Sequence, residues 1–181
     1  MSHDANPKHP IINVAEAPEE VYLDGDHWGH AFKVLTSMGD SGGRLGINQT
    51  RLPPGRCAVP YHRHQLADEA FFVVSGRGVL RFGDELHPLR PGDCVSCPAG
   101  SGKAHQIANP YDEDLIYLSI GINADHEVCV YPDSGKVMVK SLGKVGRLEA
   151  TPYMDGEPTR PRLLDLIAAA EAEGRKIGEP S

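Results

Sequence analysis

Between Leu45 and Lys140 the chain is a train of short apolar runs cut by Gly- and Pro-bearing turns, and this rhythm limits its possible folds more than any other feature. The runs are Leu45–Leu52, Glu69–Ser75, Gly78–Phe82, Glu85–Leu89, Asp93–Cys97, Ala104–Asn109, Leu115–Ile120, Glu127–Tyr131 and Val137–Lys140. The breaks include Leu52-Pro-Pro-Gly55, Gly76-Arg-Gly78, Gly83-Asp84, Arg90-Pro-Gly-Asp93 and Asn109-Pro-Tyr-Asp112. Their residues fix or free φ as turns require. No helical pattern of about 10 to 15 residues intervenes to carry a parallel crossover, so the spacing predicts an all-β sandwich or barrel. Composition agrees, since 20 Gly and 15 Pro in 181 residues favour tight turns over long helices.

The flanks read differently. Residues 1 to about 20 are polar and punctuated by proline, which predicts a loosely held arm, and Trp28–Leu35 reads as a first strand. At the other end Pro161 suits a first helical turn, Leu163, Leu166, Ile167 and Ala170 share one face, and Gly174 supplies a stop. The expected organisation is an arm and strand over 1–44, a barrel over 45–140, and an extension over 141–181 with a helix over 161–173. That helix is expected to dock by its apolar face on the barrel or on a second chain. Barrel edges need cover, so a homodimer using the first strand, the helix or both is expected.

Charge and leader signals exclude several classes. A net charge of −7 repels nucleic acid, so no nucleic-acid partner is expected. No run reaches the roughly 18 apolar residues of a membrane span, and Met1-Ser-His-Asp-Ala-Asn-Pro lacks a secretory pattern, which predicts a cytoplasmic protein with no membrane partner. The four cysteines read as buried thiols, because Cys94-Val-Ser-Cys97 has no second pair to complete a zinc site. Gly102-Lys103 lacks the remaining residues of a phosphate loop, and no Gly-x-Ser-x-Gly elbow is present. Gly76-Arg-Gly78 reads as a hairpin turn. His27 and His30, three apart around Trp28, point to opposite faces of a strand and read as surface or packing histidines. His87 reads as an exposed strand histidine.

The densest cluster of ligand-type residues is Tyr61-His62-Arg63-His64-Gln-Leu-Ala-Asp-Glu69. In an extended segment His62 and His64 project from one face and can reach one ion together. Glu69 opens the next run and can enter the same cavity, and His105 opens another short strand after the turn Pro98–Gly102. Three imidazoles and one carboxylate make a mixed nitrogen and oxygen set that suits Fe, Mn, Ni, Co or Zn. The alternative for the His-x-His pair is two solvated strand histidines.

Gly55-x6-His62-x-His64-x4-Glu69-x6-Gly76 resembles the first motif of the cupin superfamily, and Gly92-x5-Pro98-x-Gly100-x4-His105-x3-Asn109 resembles the second. The likeness covers about residues 45 to 131, and Val130-Tyr-Pro-Asp133 adds a likeness to uncharacterised single-domain bacterial cupins. The resemblance implies a double-stranded β-helix, a jelly-roll barrel, holding one divalent transition metal near its mouth on His62, His64, Glu69 and His105. The gap before His62 is one residue longer than the family's common spacing, and the gap before His105 two longer. That second loop either carries His105 inward or leaves it on the rim. Alternation from the ligands predicts Phe71, Val73, Ile107 and Asn109 on the cavity wall. The expected ligand is a small oxygenated or carboxylated molecule, handled by an oxygenase, isomerase or decarboxylase type of enzyme. The alternative is a non-catalytic binding or sensing protein whose ligand completes the metal shell. No residue stands out in the sequence as a general acid or base.

Overall fold

The computed structural model describes residues 11–36 and 44–175, and the expected arm lies outside them over residues 1–10. The chain divides after Arg147 into two compact units. The first is built almost wholly of strands: β1 Glu20–Asp24, β2 Trp28–Val34, β3 Leu45–Leu52, β4 Arg56–Cys57, β5 Arg63–His64, β6 Glu69–Ser75, β7 Gly78–Phe82, β8 Glu85–Leu89, β9 Cys94–Cys97, β10 His105–Asn109, β11 Leu115–Ile122, β12 Val128–Tyr131, β13 Lys136–Val139 and β14 Lys144–Gly146. A ten-stranded sheet runs β8-β7-β10-β4-β2-β3-β11-β6-β9, with β1 paired to β2, and a four-stranded sheet runs β14-β13-β12-β5. An antiparallel bridge between His62 and His105 joins the two. The result is mostly β, a curled sheet of the all-β class that the turn spacing predicts and of the jelly-roll kind that the resemblance implies.

Alternation along the strands makes the core. In β10 the first, third and fifth residues are buried, and in β6 Phe71 and Val73 turn inward while Phe72 and Val74 are exposed. These side chains pack with Leu52, Leu80, Leu89, Leu115 and Tyr117, and Leu52 and Leu115 have no exposed surface. Each such leucine contributes about 1.5–3 kcal/mol by leaving water.

Several expectations change in detail. Gly76-Arg-Gly78 is no hairpin: β6 pairs with β11 and β9, whereas β7 pairs with β10 and β8. The turn instead carries the chain between two distant places in the sheet, and it packs so closely there that a Cβ on Gly76 would lie 2.1 Å from the Asp114 carbonyl oxygen. The φ of +76° at Gly76 adds strain to any other residue. β2 is not an open edge, because β1 lies on one side of Ala31 and β3 on the other. Among the cysteines Cys97 and Cys129 are buried, but Cys94 is exposed because it alternates with Val95 on β9. His87 is about half exposed and lies 3.3 Å from Glu85.

In the second unit α1, Arg162–Ala172, follows Pro161 and is held at its start by an Arg160–Asp165 ion pair. No residue of α1 is buried, and Leu163, Leu164 and Leu166 are exposed.

Candidate metal centre

His62 and His64 from one segment, Glu69 from the start of β6 and His105 from the start of β10 meet at one point. His62 and His105 are fixed by the bridge between the sheets, in which the His105 amide donates to the His62 carbonyl at 2.7 Å and the His62 amide donates back at 3.1 Å. His64 sits on β5, held opposite Cys129 of β12, and Glu69 begins β6 opposite Gly121 and Cys97. The longer loop after Gly100 carries His105 inward, for that residue is only 3% exposed.

The donor atoms converge. His105 Nε2 lies 3.0 Å from Glu69 Oε2, His64 Nε2 3.2 Å and His62 Nε2 3.9 Å from the same oxygen, and the His62 and His64 Nε2 atoms are 3.1 Å apart. All four donor atoms fall within 4.8 Å of one another. Donors about 2.1 Å from a common ion stand about 3.0 Å apart when adjacent and about 4.2 Å apart when opposite, so these spacings suit one transition-metal ion. Partners behind the rings orient the donors as well. His62 Nδ1 donates to the Pro60 carbonyl at 2.9 Å, which leaves its Nε2 lone pair facing the cluster. His64 Nδ1 lies 3.3 Å from Cys129 Sγ and 3.6 Å from Glu127 Oε1.

Glu127, which carries no motif in the sequence, is 4% exposed. Its carboxylate accepts the amides of Gln65, Leu66 and Ala67, so it closes the loop that follows His64.

Charge inside the cluster is uneven. Burial and the neighbouring His105 push His62 down to about 4. Burial also disfavours the charged form of His64, but hydrogen bonds to Cys129 and Glu69 outweigh it and hold that ring up at about 10. For Glu69 burial acts upward, yet hydrogen bonds from His105 and His64 hold the carboxyl well below the usual carboxylate range. Four polar groups thus share a buried charge that a divalent cation would satisfy in place of the His64 proton.

The cluster forms part of the wall of a cavity of about 380 Å³. Phe71 and Ile107 line it. Val73 and Asn109 do not border it: Val73 lies in the core, and Asn109 spends its amide on the Leu52 and Glu113 carbonyls. The cavity is also lined by residues the sequence does not mark as cavity residues, among them His30, Asn48, Thr50, Gln106, Ser119 and Tyr131, the last stacked on His62 with ring centroids 5.9 Å apart. His30, read from the sequence as a surface or packing histidine, is half-buried in this wall with its Nδ1 3.1 Å from the Ala58 carbonyl oxygen. The acidic turn Tyr111–Asp114 takes no part and pairs with Arg77 and Arg51 on the surface.

A curled β-barrel with three histidines and a glutamate gathered at one cavity is a jelly roll with a candidate metal site. Residues 48–121 match the model of the cupin domain family. The crystal structure of a sugar phosphate isomerase of the cupin superfamily from Silicibacter pomeroyi is 27% identical, with a TM-score of 0.66, covering 81% of this chain and 98% of that one. A structure from Acidithiobacillus ferrooxidans, provisionally given the same activity, is 27% identical with a TM-score of 0.64, covering 77% of this chain and 92% of that one. An oxalate-binding protein of Thermotoga maritima is 33% identical over 70 residues, 39% of this chain. The match spans 55% of that curated relative, about half its length.

Proposed function

We propose that the chain is a metal-dependent enzyme that binds one divalent transition metal on His62, His64, Glu69 and His105 and acts on a small oxygenated or carboxylated molecule, as an isomerase or decarboxylase. The observation that carries this reading is the convergence of four donor atoms within 4.8 Å on the wall of a cavity large enough for a small ligand. One carboxylate leaves a divalent ion with residual positive charge, and four protein donors leave about two positions of a six-coordinate shell for a bidentate ligand. When bound, such an ion supplies Lewis-acid polarisation of a carbonyl or carboxylate. The chain's own contribution is an apolar enclosure from Phe32, Phe71, Ile107 and Met138, and neutral hydrogen-bonding groups in the same cavity wall.

The likeness to sugar phosphate isomerases supports the enzyme, whereas the likeness to an oxalate-binding protein supports a second reading, a non-catalytic binding protein. The test uses the full chain, metal-loaded and metal-free. Elemental analysis is expected to find about one ion per chain, lost in His62→Ala with His64→Ala. Oxalate, pyruvate and glycolate are expected to raise the melting temperature only when the metal is present. Turnover of any of a panel of such compounds supports the enzyme, and quantitative recovery of unchanged ligand supports the binding protein. Shifts equal with and without metal, or full metal retention by the double variant, overturn both readings. Homodimer assembly and cytoplasmic residence belong to the same proposal, the latter supported by four unpaired thiols.

A further inference from the structure

One basic side chain in the cavity has no place in the metal cluster. His30 reaches the cavity wall from β2, a strand outside both sequence motifs. Its Nδ1 lies 3.1 Å from the Ala58 carbonyl oxygen, which can only accept, so Nδ1 carries the hydrogen and Nε2 keeps its lone pair. The ring is braced by Phe32, with centroids 5.6 Å apart. Burial holds its pKa below the ordinary histidine value, so the imidazole is neutral at pH 7. Tyr117 and Tyr131 also border the cavity, but burial pushes both phenols up and leaves them as donors at neutral pH. Among the described cavity residues outside the four-donor group, His30 is the only imidazole.

A hydrogen-bonding row stands near it. Asn48 lies directly across from Ser119 and Thr50 from Tyr117 in the β3–β11 ladder, and Thr50 Oγ1 is 3.0 Å from Ser119 Oγ. Neutral hydroxyl and amide groups in such a row suit the hydroxyl and carbonyl oxygens of a small ligand.

We propose that His30 Nε2 is the proton acceptor for a small α-keto or α-hydroxy carbonyl compound held between the His/Glu cluster and this row. The inference rests on the metal-dependent reading above. His30 takes the proton from the carbon beside the bound carbonyl, and the electron pair of that C–H bond moves into the enolate. The imidazolium then returns a proton to the same carbon, giving exchange, or, in an α-hydroxy carbonyl compound whose hydroxyl proton passes to the neighbouring oxygen, to the former carbonyl carbon, giving isomerisation. No electron enters or leaves, and no further reactant is needed.

The test follows the methyl signal of pyruvate by proton NMR in D2O with the metal-loaded full chain. Wild type is expected to exchange the methyl protons only when metal is present. His30→Asn, whose amide can still donate to the Ala58 carbonyl, is expected to lower the exchange rate at least about 100-fold. Metal content and the pyruvate-induced melting shift should stay unchanged in that variant. Should His30→Asn not fold, His30→Gln is read in the same way. Exchange retained in the variant, or pyruvate bound by wild type without exchange, overturns the proposal while leaving the metal-dependent reading intact. Failure of wild type to bind pyruvate in a metal-dependent way removes this proposal, and the metal-dependent reading falls with it only if oxalate and glycolate fail as well.

Discussion

Glu127 shows how one side chain outside any motif can govern a site. Its nearly inaccessible carboxylate accepts three backbone amides and lies 3.6 Å from His64 Nδ1. Glu127→Ala therefore strands three donors and frees the loop after His64. The expected loss is about 3 kcal/mol or more, since each unsatisfied buried donor costs about 1–3 kcal/mol. Urea titration of the metal-free protein measures that loss, and a competition assay is expected to show metal affinity weakened about 10–100-fold. A cost below about 1 kcal/mol would mean that water reaches the loop amides. The places of Glu127 beside His64 and of His30 in the cavity wall were not legible because the contacts that set them exist only in the closed barrel. His62, His64, Glu69 and His105 were legible because two of them share a strand face and the others open strands after turns. Asn109 was misread as a cavity residue because alternation gives its direction but not the two carbonyls that capture its amide.

Strands bounded by chemically explicit turns were read with their ends correct, as Leu45–Leu52, Glu69–Ser75, Gly78–Phe82 and Glu85–Leu89 show. Those without a buried face left no periodic signal. β1 is the clearest case, since its five residues are all exposed, and β4 and β5 are only two residues long. The same exposure gives β1 a consequence for assembly. It pairs only with β2 among the described strands, and Val21 and Leu23, on one face, are 61% and 50% exposed. An apolar edge strand is a template for a second chain. Light scattering at micromolar concentration is expected to report a homodimer, and Val21→Lys with Leu23→Lys to shift it to monomer. A monomeric wild type would end the dimer proposal, and a dimeric double variant would move the interface elsewhere, α1 with its exposed leucines being the next place to look.

At the scale of the whole molecule the buried charge of the cluster sets how stability depends on pH. In the metal-free protein His62 titrates near 4 against an ordinary value of 6.5, so below pH 6.5 the unfolded chain takes up this proton first. Stability is therefore lost as pH falls from 6.5 towards 4. His30, also lowered by burial, adds to the same loss. His64 works in the opposite sense, because its folded value of about 10 lies above 6.5. Its contribution is complete below pH 6.5 and disappears as pH rises towards 10. The metal-free protein is thus expected to melt highest near pH 6 to 7 and to fall on both sides. A metal ion on the four donors requires the imidazoles to be unprotonated, so loading displaces the His64 proton and removes the alkaline decline. The acid decline should steepen, because the unfolded chain then takes up protons at ligands that the folded, loaded state keeps free. Calorimetric melting from pH 5 to pH 9.5, with and without metal, separates the cases. A plateau above pH 7 only in the loaded protein is the expected result, and parallel profiles would mean that the ion does not sit on His64.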